Sequence, residues 1–303
     1  MDISIIIVSW NTCDLLAQCL QSVEENAVNE GRFSVETFVV DNASTDGSSL
    51  MVRERFPHVH LIENEENVGF ARANNQAIPQ STGRYVVLLN SDTEVFPGAF
   101  RAMVAFMDAH PEAGGCGSML LNADGTLQPS CHPMLTPERE FWRLMFLDQI
   151  WPKATYAQTR WDSSTPHQVE VIKGACFMLR RETLNQVGLL DDQYFMYTEE
   201  MDLCRRLLEV GWTLWWVPEA KVKHYGEASS QQMAEEMYIQ LYRSKVQFHR
   251  KFNGSRRAEH FKRLLWLAYW PRFIVVGLAS RLQPELAGRA RTYRRLLCEL
   301  RAM

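Results

Sequence analysis

The sequence predicts an α/β fold in which a mostly parallel β-sheet is flanked by helices. Short β-branched runs alternate with helical patterns over the first hundred residues, and this alternation is typical of parallel strands joined by right-handed crossovers. Polar or acidic residues follow several of these runs directly. The chain has 303 residues, of which 46% are hydrophobic and 22% charged, so it can bury a sizeable core.

The first ninety residues contain four predicted strands and three predicted helices. The strands are expected at residues 3–9, 37–40, 59–63 and 85–89, and the helices at residues 13–25, from Ser48 onward and at residues 71–78. Asn11 and Thr12 are suited to cap the first helix. Residues 41–47 consist of turn and cap formers, which predicts a sharp turn before the second helix.

The next 160 residues are predicted to be less regular. Residues 130–170 are rich in Trp, Pro and Thr and lack periodicity, which predicts a long, partly ordered loop of a kind that is usually functional. The other predicted elements are a helix at 96–110 with Pro97 in its first turn, strands at 114–121, 169–180, 213–217 and 221–224, a tight turn at 122–125, and helices at 181–187, 199–210 and 231–252.

Residues 251–303 differ in composition from the rest of the chain. They contain twelve basic and three acidic residues, whereas the formal net charge of the whole chain is −4. Apolar and aromatic runs at 264–270 and 273–278 are interrupted by Pro271 and Arg272. Trp and Tyr suit the headgroup interface and Arg suits anionic lipid, so this segment predicts a helical, basic and aromatic appendage that docks on a membrane surface. A helical pair packed on the body or on a partner subunit is the alternative. No nucleic-acid-binding motif accompanies the charge, so no nucleic-acid partner is expected.

The cysteines and the N-terminus indicate the compartment. The seven cysteines include no CxxC pair and no regular spacing, which favours buried reduced thiols in a cytosolic protein over a disulfide framework or a zinc site. The N-terminal apolar run has no basic residues before it and is too short for a signal peptide. No apolar run approaches the ~20 residues that a spanning helix needs.

Polar side chains follow the predicted strands where a ligand of an open α/β sheet would bind. Asp41 follows the strand at 37–40, Asp92 follows that at 85–89, and His224 ends the last strand. Ligands bind outside the carboxyl ends of such strands, and an unpaired carboxylate is too costly to bury for packing alone. These residues suit a divalent cation, which prefers oxygen ligands and commonly bridges phosphates. For Asp41 the alternative is that it only caps the following helix.

Five ordered segments stand out as motifs: residues 8–11 (VSWN), 39–48 (VVDNASTDGS), 67–75 (NVGFARANN), 89–92 (LNSD) and 199–206 (EEMDLCRR). In this order and spacing they resemble the family 2 glycosyltransferases of bacteria, especially their rhamnosyltransferase-like branch. The resemblance covers residues 2–250. It implies an inverting transferase on the GT-A fold, with a Rossmann-like sheet, in a domain formed by residues 1–250. Its nucleotide-binding half would be 1–125 and its acceptor half 126–250, and residues 251–303 would be the appendage.

The resemblance implies a nucleotide-diphospho-sugar donor and a divalent metal, Mn²⁺ or Mg²⁺. Asp41 would contact the nucleoside, Asp92 would bind the metal, and His224 could complete the metal site or be a hydrogen-bonded loop histidine. The family's acidic motif begins with Asp, whereas Asn90 stands here, so we expect the metal to depend on the diphosphate. The other donor-binding residues implied are Ser9, Asn11, Asn67, Gly69, Arg72, Asn74, Asn90, Ser91, Lys173 and Gly174. Trp142, Trp151 and Trp161 could stack on sugar rings or simply pack.

The general base is implied to be Glu200. The family has an Asp after Glu in its late acidic motif, whereas this chain has Glu199-Glu200. The extra methylene moves the carboxylate by about 1.5 Å, and misplacement by about 1 Å can cost on the order of 10²-fold in rate. Asp202 is the second candidate for a catalytic role, and Asp191 and Asp192 are further alternatives.

The predicted function is therefore inverting transfer of a sugar, with rhamnose as the candidate, to a hydroxyl of a cell-surface glycan or lipid-linked acceptor. The expected location is cytoplasmic, peripheral on the cytoplasmic face of the inner membrane. A sugar-1-phosphate nucleotidyltransferase would need a Gly-rich, Arg-containing loop after the first strand, which residues 9–12 lack. A catalytically silent scaffold that docks other enzymes at the membrane is the alternative from another class, and the departures at Asn90 and Glu200 are compatible with it.

Overall fold

Four parallel strands form one side of the main sheet. They are β1 (Ile3–Ser9), β2 (Val35–Asp41), β3 (His60–Glu63) and β4 (Tyr85–Asn90), and they lie in the order β3-β2-β1-β4. The β-branched and leucine side chains of β1 and β4 are buried over almost their whole length, as expected for parallel strands covered on both faces. Ser9 pairs with Asp41, and Val8 pairs with Asn90. The carboxyl ends of β1, β2 and β4 therefore lie side by side.

This computed structural model describes residues 1–28, 33–149, 155–226 and 233–303. Trp151, the start of the helix predicted at 231–252 and residues 227–229 lie outside these ranges. The first three helices are α1 (Cys13–Val23), α2 (Ser48–Arg55) and α3 (Phe70–Ala77). The prediction of a helix over 13–25 is correct up to Val23, after which the chain continues as a π-helical turn, Glu24–Val28.

The second half of the sheet contains antiparallel strands that the sequence did not reveal. The elements that follow β4 in the chain are β5 (Thr93–Val95), α4 (Ala99–Ala109), β6 (Ala113–Leu121), β7 (Leu127–Gln128), β8 (Cys131–His132), α5 (Pro137–Leu144), β9 (His167–Val169), β10 (Val171–Ile172), β11 (Cys176–Arg180), α6 (Arg181–Val187), α7 (Glu199–Glu209) and β12 (Thr213–His224). β8 and β10 pair with each other in a separate two-stranded sheet. Strand order continues from β4 as β11-β6-β12-β5. β11 is antiparallel to both of its neighbours, and β6 and β12 are parallel. The predicted α/β class is confirmed.

Three predicted elements need correction. The helix predicted from residue 96 begins at Ala99, because Gly98 adopts a left-handed conformation with φ 80° and keeps Pro97 in the preceding turn. The single strand predicted over 169–180 is three short strands, interrupted where the Lys173 N–H donates to Ser130 O. The two strands predicted at 213–217 and 221–224 are one strand, β12, with an irregularity between Val217 and Lys221.

The loop predicted over 130–170 contains a helix, α5. The Thr136 hydroxyl accepts the Arg139 N–H at 3.1 Å, and Pro137 occupies the first turn. Thr followed by Pro and Glu is a local signal for a helix start, but the helix is too short to produce a clear apolar periodicity. The capping residues would therefore have predicted this helix, which the apolar periodicity did not.

The C-terminal residues form two helices, α8 (Ala234–Ala279) and α9 (Ala287–Glu299). α8 consists of two helical segments that meet at a kink at Gly254, where φ is 79° and ψ is 167°. Pro271 interrupts the apolar run of the sequence but not the helix, since α8 continues through it. Proline removes one N–H and displaces a carbonyl of the preceding turn, and here the Arg272 guanidinium donates to Ala268 O at 2.5 Å and to Leu144 O. The predicted helical character of this segment is confirmed.

The chain forms two compact units. The first comprises Met1–Met134, Ala157–Phe195 and Glu199–Gln232, and the second comprises Leu135–Tyr156, Met196–Thr198 and Met233–Met303. The core of the first is built on side chains from β1, β2, β4 and helices α1 and α4. The core of the second includes Tyr242, Phe261, Leu265, Tyr269 and Leu296. Packing alone does not show which part can fold by itself, so the domain boundary at residue 250 stays a prediction.

A buried ion pair joins two helices of the second unit. Glu140 of α5 accepts from Lys245 of α8 at 2.8 Å and from Arg143 at 2.6 Å, and Glu140 is 4% exposed. Burial alone would raise the pKa of Glu140, but the two cations outweigh it and lower this pKa to about 2.

We therefore expect Glu140→Gln to destabilise the protein at neutral pH. Removing one member of a buried pair costs about 3 kcal/mol, because the remaining cation stays buried without its counter-charge. A carboxyl group whose pKa is lowered by folding contributes stability above its unfolded pKa of 4.5, and this contribution is lost as the pH falls toward 2. Urea unfolding at several pH values should show the variant and the parent converging below pH 4.5. A constant difference down to pH 2 would contradict this account.

Candidate active site

Three hydroxyl groups connect the ends of β1 and β4. The Ser9 and Thr12 hydroxyls lie 3.0 Å apart, as do those of Thr12 and Ser91, and all three residues are buried. Thr12 is the N-cap of α1, but its side chain makes no capping hydrogen bond. The N–H of Cys13 donates instead to Asp46 Oδ2 at 2.8 Å. The prediction that Asn11 and Thr12 cap α1 through their side chains is therefore wrong, because these side chains bridge neighbouring loops.

Asn11 holds the loop after β1 against the loop after β2. Its backbone is left-handed, with φ 51°. Its N–H donates to Ser44 Oγ at 2.8 Å, and its Oδ1 accepts the Thr45 N–H at 2.8 Å. The structure thus places Asn11 at the predicted edge of the sheet, where it positions the loop that contains Asp41.

Asp41 has an unused acceptor at the carboxyl end of β2. It is 3% exposed, and its Oδ2 accepts the Ser44 N–H at 3.0 Å. Its Oδ1 is buried and has no hydrogen-bond partner. Asp41 does not cap α2, whose N-cap is Gly47. A buried carboxylate oxygen without a donor is costly, so this atom is suited to accept a hydrogen bond from a ligand hydroxyl or base.

Residues 67–75 form a turn and a helix start that support the loop at 190–195. Asn67 Oδ1 accepts the Gly69 N–H at 3.0 Å, and the Phe70 N–H donates to Phe195 O at 2.8 Å. Asn75 exchanges two hydrogen bonds with the backbone of Leu190. This segment therefore fixes the path of the chain shortly before Glu199.

Within this segment, the predicted donor-binding residues Asn74 and Arg72 have different environments. Asn74 is fully buried, donates to Phe70 O at 2.9 Å, and has a buried Oδ1 with no hydrogen-bond partner. The Arg72 side chain is 60% exposed, and its Nε lies 3.7 Å from Asp192 Oδ2. Arg72 is therefore accessible to a ligand, whereas Asn74 is enclosed.

We expect Gly69→Ala to destabilise the protein more than Gly188→Ala. The two glycines have nearly the same backbone conformation, φ 85° and ψ 174° against φ 83° and ψ 175°, but a Cβ at Gly69 would lie 2.3 Å from Phe195 O, whereas a Cβ at Gly188 would meet only Arg206 Nη1, at 4.0 Å. Because φ and ψ both match, the backbone cost of about 1–3 kcal/mol is common to both variants, so the difference measures the contact with Phe195. Denaturant unfolding of both variants tests this. Equal losses of unfolding free energy would show that the loop at 195 moves aside freely.

Asn90, Asp92 and His224 converge where β4 ends beside the end of β12. His224 Nε2 lies 3.3 Å from Asp92 Oδ1 and 3.2 Å from Asn90 Nδ2. His224 Nδ1 lies 2.7 Å from Gln128 Oε1, and Gln128 Nε2 donates to His224 O at 3.2 Å. In the neutral tautomer that donates from Nδ1 to Gln128 Oε1, the Nε2 lone pair faces Asp92 and Asn90. Gln128 was not predicted, since it lies 96 residues from His224 and no motif marks it.

This trio fits part of a metal site. Two ligands that each bind Mg²⁺ at about 2.1 Å in octahedral geometry lie roughly 3 Å apart, and the Asp92–His224 separation is 3.3 Å. The partner on Nδ1 is the type that orients metal-binding histidines. Within the described residues no group of three or more His, Cys, Asp or Glu could hold a metal. The protein thus supplies two strong donors and one amide, and further ligands would have to come from elsewhere.

Glu200 lies on the first turn of α7 beside residue 174. A Cβ at Gly174 would lie 4.0 Å from Glu200 Cβ and 3.6 Å from the Phe70 ring. These are ordinary contact distances, so the predicted need for glycine at 174 is not supported by steric crowding. The two residues before α7, Tyr197 and Thr198, both have positive φ values, 66° and 75°. Such conformations cost about 1–3 kcal/mol each and occur mainly at functional sites.

Glu199 is buried next to Glu200. It is 5% exposed, and its Oε2 has no hydrogen-bond partner. Burial, followed by repulsion from the Glu200 carboxylate, raises the pKa of Glu199 well above its ordinary value. Burial without a counter-charge therefore favours the protonated form of Glu199.

Asp202 lies in a buried ion pair. Its Oδ1 accepts the Arg206 Nε–H at 2.7 Å, and Asp202 is fully buried. Arg206 also donates to the carbonyls of Val187 and Leu189 at 2.7 and 2.8 Å. This network ties α7 to the end of α6 and favours a positioning role for Asp202 over direct contact with a substrate.

The remaining predicted residues are less informative. Lys173 donates its N–H to Ser130 O and lies beside Gly174. Trp161 stacks on His167 with centroids 4.6 Å apart and meets Trp216 edge-on at 5.4 Å, which accords with packing. All seven cysteines are free, and five of them are buried. No helix in the described ranges has both the length and the apolar character needed to cross a membrane.

Comparisons with known proteins identify the family of the chain. The model of glycosyl transferase family 2 matches residues 4–188. The N-acetylglucosaminyl-diphospho-decaprenol L-rhamnosyltransferase of Mycobacterium tuberculosis (strain CDC 1551 / Oshkosh) is 32% identical over 206 residues, which are 63% of this chain and 66% of that protein. The match thus spans just under two thirds of that relative's length.

Solved structures share the fold at low identity. The mannosyltransferase PcManGT from Pyrobaculum calidifontis, in complex with GDP-Man and Mn²⁺, is 17% identical with a TM-score of 0.54 and covers 97% of this chain and 84% of its own. GalNAc-T7 with UDP, GalNAc and Mn²⁺ is 16% identical with a TM-score of 0.55 and covers 74% of this chain and 44% of its own. At such identities these structures show the fold alone.

Proposed function

The chain belongs to glycosyl transferase family 2, and from this premise we propose that it transfers a sugar from a nucleotide-diphosphate donor, with inversion, to a hydroxyl of a lipid-linked glycan. The observation that carries the proposal is the set of side chains at neighbouring strand ends. Asp41 has an unused buried acceptor, and Asp92 and His224 present two metal-binding atoms 3.3 Å apart.

In this proposal the ends of β1, β2 and β4 bind the donor. Asp41 Oδ1, which has no hydrogen-bond partner within the protein, accepts a hydrogen bond from the ribose or the base. The Ser9–Thr12–Ser91 hydroxyls keep the ends of β1 and β4 together. Arg72, whose side chain is 60% exposed, is available to an anionic donor group.

Asp92, His224 and the amide oxygen of Asn90 would hold the divalent cation, Mn²⁺ or Mg²⁺, together with the donor diphosphate. When bound, the cation would stabilise the negative charge of the leaving diphosphate. For Asn90 this requires that its amide turn its oxygen toward the site, since its Nδ2 faces His224 Nε2 at 3.2 Å. Gln128 would keep the His224 ring in the metal-binding tautomer.

Glu200 is the proposed general base. It would take the proton of the acceptor hydroxyl as that oxygen attacks the anomeric carbon. Its position beside residue 174, at the start of a helix, suits this role. Glu199 is a poorer candidate, because its raised pKa favours the protonated form, and Asp202 is engaged by Arg206.

The finer assignments rest on the rhamnosyltransferase relative. The activity for which that enzyme is named supports rhamnose as the donor sugar and a sugar-diphospho-polyprenol as the acceptor. A lipid-linked acceptor would place the chain on the cytoplasmic face of the inner membrane, with residues 251–303 at the lipid surface. The silent scaffold remains the outcome against which this proposal is tested.

The test is thermal unfolding with UDP, dTDP and GDP, each with and without Mn²⁺ or Mg²⁺. A ligand that binds only the native state raises the unfolding midpoint by mass action. We expect one nucleotide to raise the midpoint in a metal-dependent way, and the matching sugar nucleotide to be hydrolysed slowly without acceptor. Absence of any shift and of any hydrolysis would support the scaffold instead.

A further inference from the structure

A groove of about 330 Å³ lies between α8 and α9 in the second unit. Its walls include Trp266, Trp270 and Phe273 from α8, and Arg294, Leu297 and Arg301 from α9 and the turn after it. Residues 266, 270 and 273 are spaced by four and three positions, as are 294, 298 and 301. Residues at this spacing share one helix face. The groove therefore has an aromatic side and a side with two guanidinium groups.

The two arginines of the groove, Arg294 and Arg301, differ from the neighbouring Arg295 in their ion pairing. Arg295 forms ion pairs with Glu235, Glu236 and Glu299. Arg294 and Arg301 are exposed, and neither forms an ion pair with any residue in the described part of the chain. Their charges are therefore available to an anion from outside the unit.

An exposed apolar row continues from the groove along α8. Trp266, Trp270, Ile274, Leu278 and Leu282 follow one another at intervals of four residues and are 41%, 46%, 37%, 56% and 87% exposed. The Trp266 and Trp270 rings stack with centroids 5.7 Å apart. Contiguous exposed apolar surface of this kind marks a binding surface.

The combination of charge and apolar surface identifies the partner. Tryptophan rings prefer the headgroup level of a bilayer, and basic side chains near an anionic surface gain about a factor of five in binding each. A second copy of the same face would bring arginines against arginines, which disfavours a symmetric dimer through this groove. A surface of anionic phospholipid satisfies both features.

We propose that the groove and the apolar row form a docking site for an anionic phospholipid bilayer. Arg294 and Arg301 bind lipid phosphates, and Trp266 and Trp270 lie at the headgroup level with Ile274 and Leu278 in the acyl region. The proposal specifies the membrane surface that the proposed function needs, and it rests on that function only for the location of the acceptor. Binding to vesicles requires neither donor nor acceptor, so the two can fail separately.

The first experiment is vesicle flotation of the full chain. Vesicles of phosphatidylcholine alone are compared with vesicles that contain phosphatidylglycerol. We expect binding to the anionic vesicles, and we expect Arg294→Ala with Arg301→Ala to weaken it roughly 30-fold, since two basic residues are lost. The matched control is Arg289→Ala with Arg291→Ala, which removes the same charge from exposed positions of α9 outside the groove and should weaken binding by less than about threefold.

The second experiment tests the aromatic side. Trp266→Ala with Trp270→Ala should weaken binding about tenfold or more, because two half-exposed aromatic side chains no longer enter the interface. Trp266→Phe with Trp270→Phe should retain most of the binding but reduce the quenching of tryptophan fluorescence by brominated lipid. Circular dichroism and the thermal midpoint confirm that each variant folds.

Several outcomes would overturn the proposal. Equal binding to neutral and anionic vesicles would show that the arginines do not bind lipid phosphates. Equal effects of the groove pair and the control pair of substitutions would show that binding depends on overall positive charge and not on the groove. Loss of self-association in sedimentation, with unchanged vesicle binding, would assign the groove to a second copy of this chain. Transfer to a water-soluble acceptor should be unchanged in the groove variants, whereas failure of the parent protein in that assay would count against the proposed function alone.

Discussion

Glu200→Gln should lower the rate of sugar transfer by about 10²–10⁴-fold, the usual contribution of a general base. Glutamine has nearly the same shape as glutamate but cannot take the acceptor proton. Because Glu200 would act on the acceptor and not on the donor, the thermal shift produced by the nucleotide and metal should stay unchanged. The measurement is kcat with a purified acceptor, together with the donor-induced shift of the unfolding midpoint.

The neighbouring acid provides the control for this substitution. Glu199→Gln replaces a buried carboxyl group whose pKa is raised by burial and by the Glu200 carboxylate. Since the protonated acid and the amide are similar in shape and charge, we expect transfer to be largely retained. A carboxyl group with a raised pKa contributes stability below its unfolded pKa of 4.5 and loses it as the pH rises through the folded value. Glu199→Gln should therefore gain stability relative to the parent as the pH rises above 4.5.

Two results would contradict the assignment of the base. A fully active Glu200→Gln variant would exclude Glu200, and a larger loss of kcat in Glu199→Gln would transfer the role to its neighbour. Asp202→Asn separates a third possibility. If Asp202 only positions α7 through Arg206, this variant should lose unfolding free energy and leave the pH profile of kcat unchanged, whereas a catalytic carboxylate at 202 would change that profile.

Asp92→Asn should remove the metal-dependent part of donor binding and lower the rate of transfer about 10²-fold or more. Electrostatic stabilisation of the charge on the leaving group is usually among the largest contributions to the rate enhancement. Asp92 is one of only two strong donors in the trio, and its Oδ1 lies 3.3 Å from His224 Nε2. The measurement is the nucleotide-induced thermal shift with and without Mn²⁺, followed by kcat/KM at saturating metal.

Glu94→Gln is the matched control for the metal prediction. Glu94 stands two residues beyond Asp92, but its carboxylate accepts from Lys223 Nζ and Tyr225 OH, each at 2.9 Å. It removes the same charge from the same region without touching the Asn90–Asp92–His224 trio. We expect its metal-dependent shift to match that of the parent. If Glu94→Gln and Asp92→Asn behaved alike, the effect would be one of overall charge, and the metal assignment would fail.

Local patterns predicted the parts of the site that lie on neighbouring parallel strands. β-branched runs identify β1, β2 and β4, and parallel strands with one sense bring their carboxyl ends to one edge. Asp41 and Asn90 therefore had to lie beside the end of β1, as the register of Ser9 with Asp41 and of Val8 with Asn90 confirms. The ordered motifs added the family, which is confirmed by the match over residues 4–188.

Sequence patterns did not predict the secondary structure correctly where an element is short or where its extent depends on contacts with distant residues. α5 is eight residues long, and the signal for it in the sequence is its capping residue, Thr136, and not apolar periodicity. α8 continues through Pro271, where the Arg272 side chain donates to the carbonyls of residues 268 and 144. Neither contact is encoded in the local propensity of the chain, which favours a break at proline.

By itself, the sequence determined the α/β class, the family and the set of acidic strand ends, because these depend on short-range periodicity and on ordered motifs. Only the tertiary structure decided which of those residues keep a polar atom without a protein partner and which are paired with distant side chains. In the folded chain Asp41 Oδ1 has no hydrogen-bond partner, and Asp202 forms an ion pair with Arg206. Gln128 contacts His224, which lies 96 residues away, and Gly69 packs closely against Phe195. The physical reason is that burial and hydrogen-bond pairing depend on contacts between segments far apart in the chain, and no local pattern specifies them.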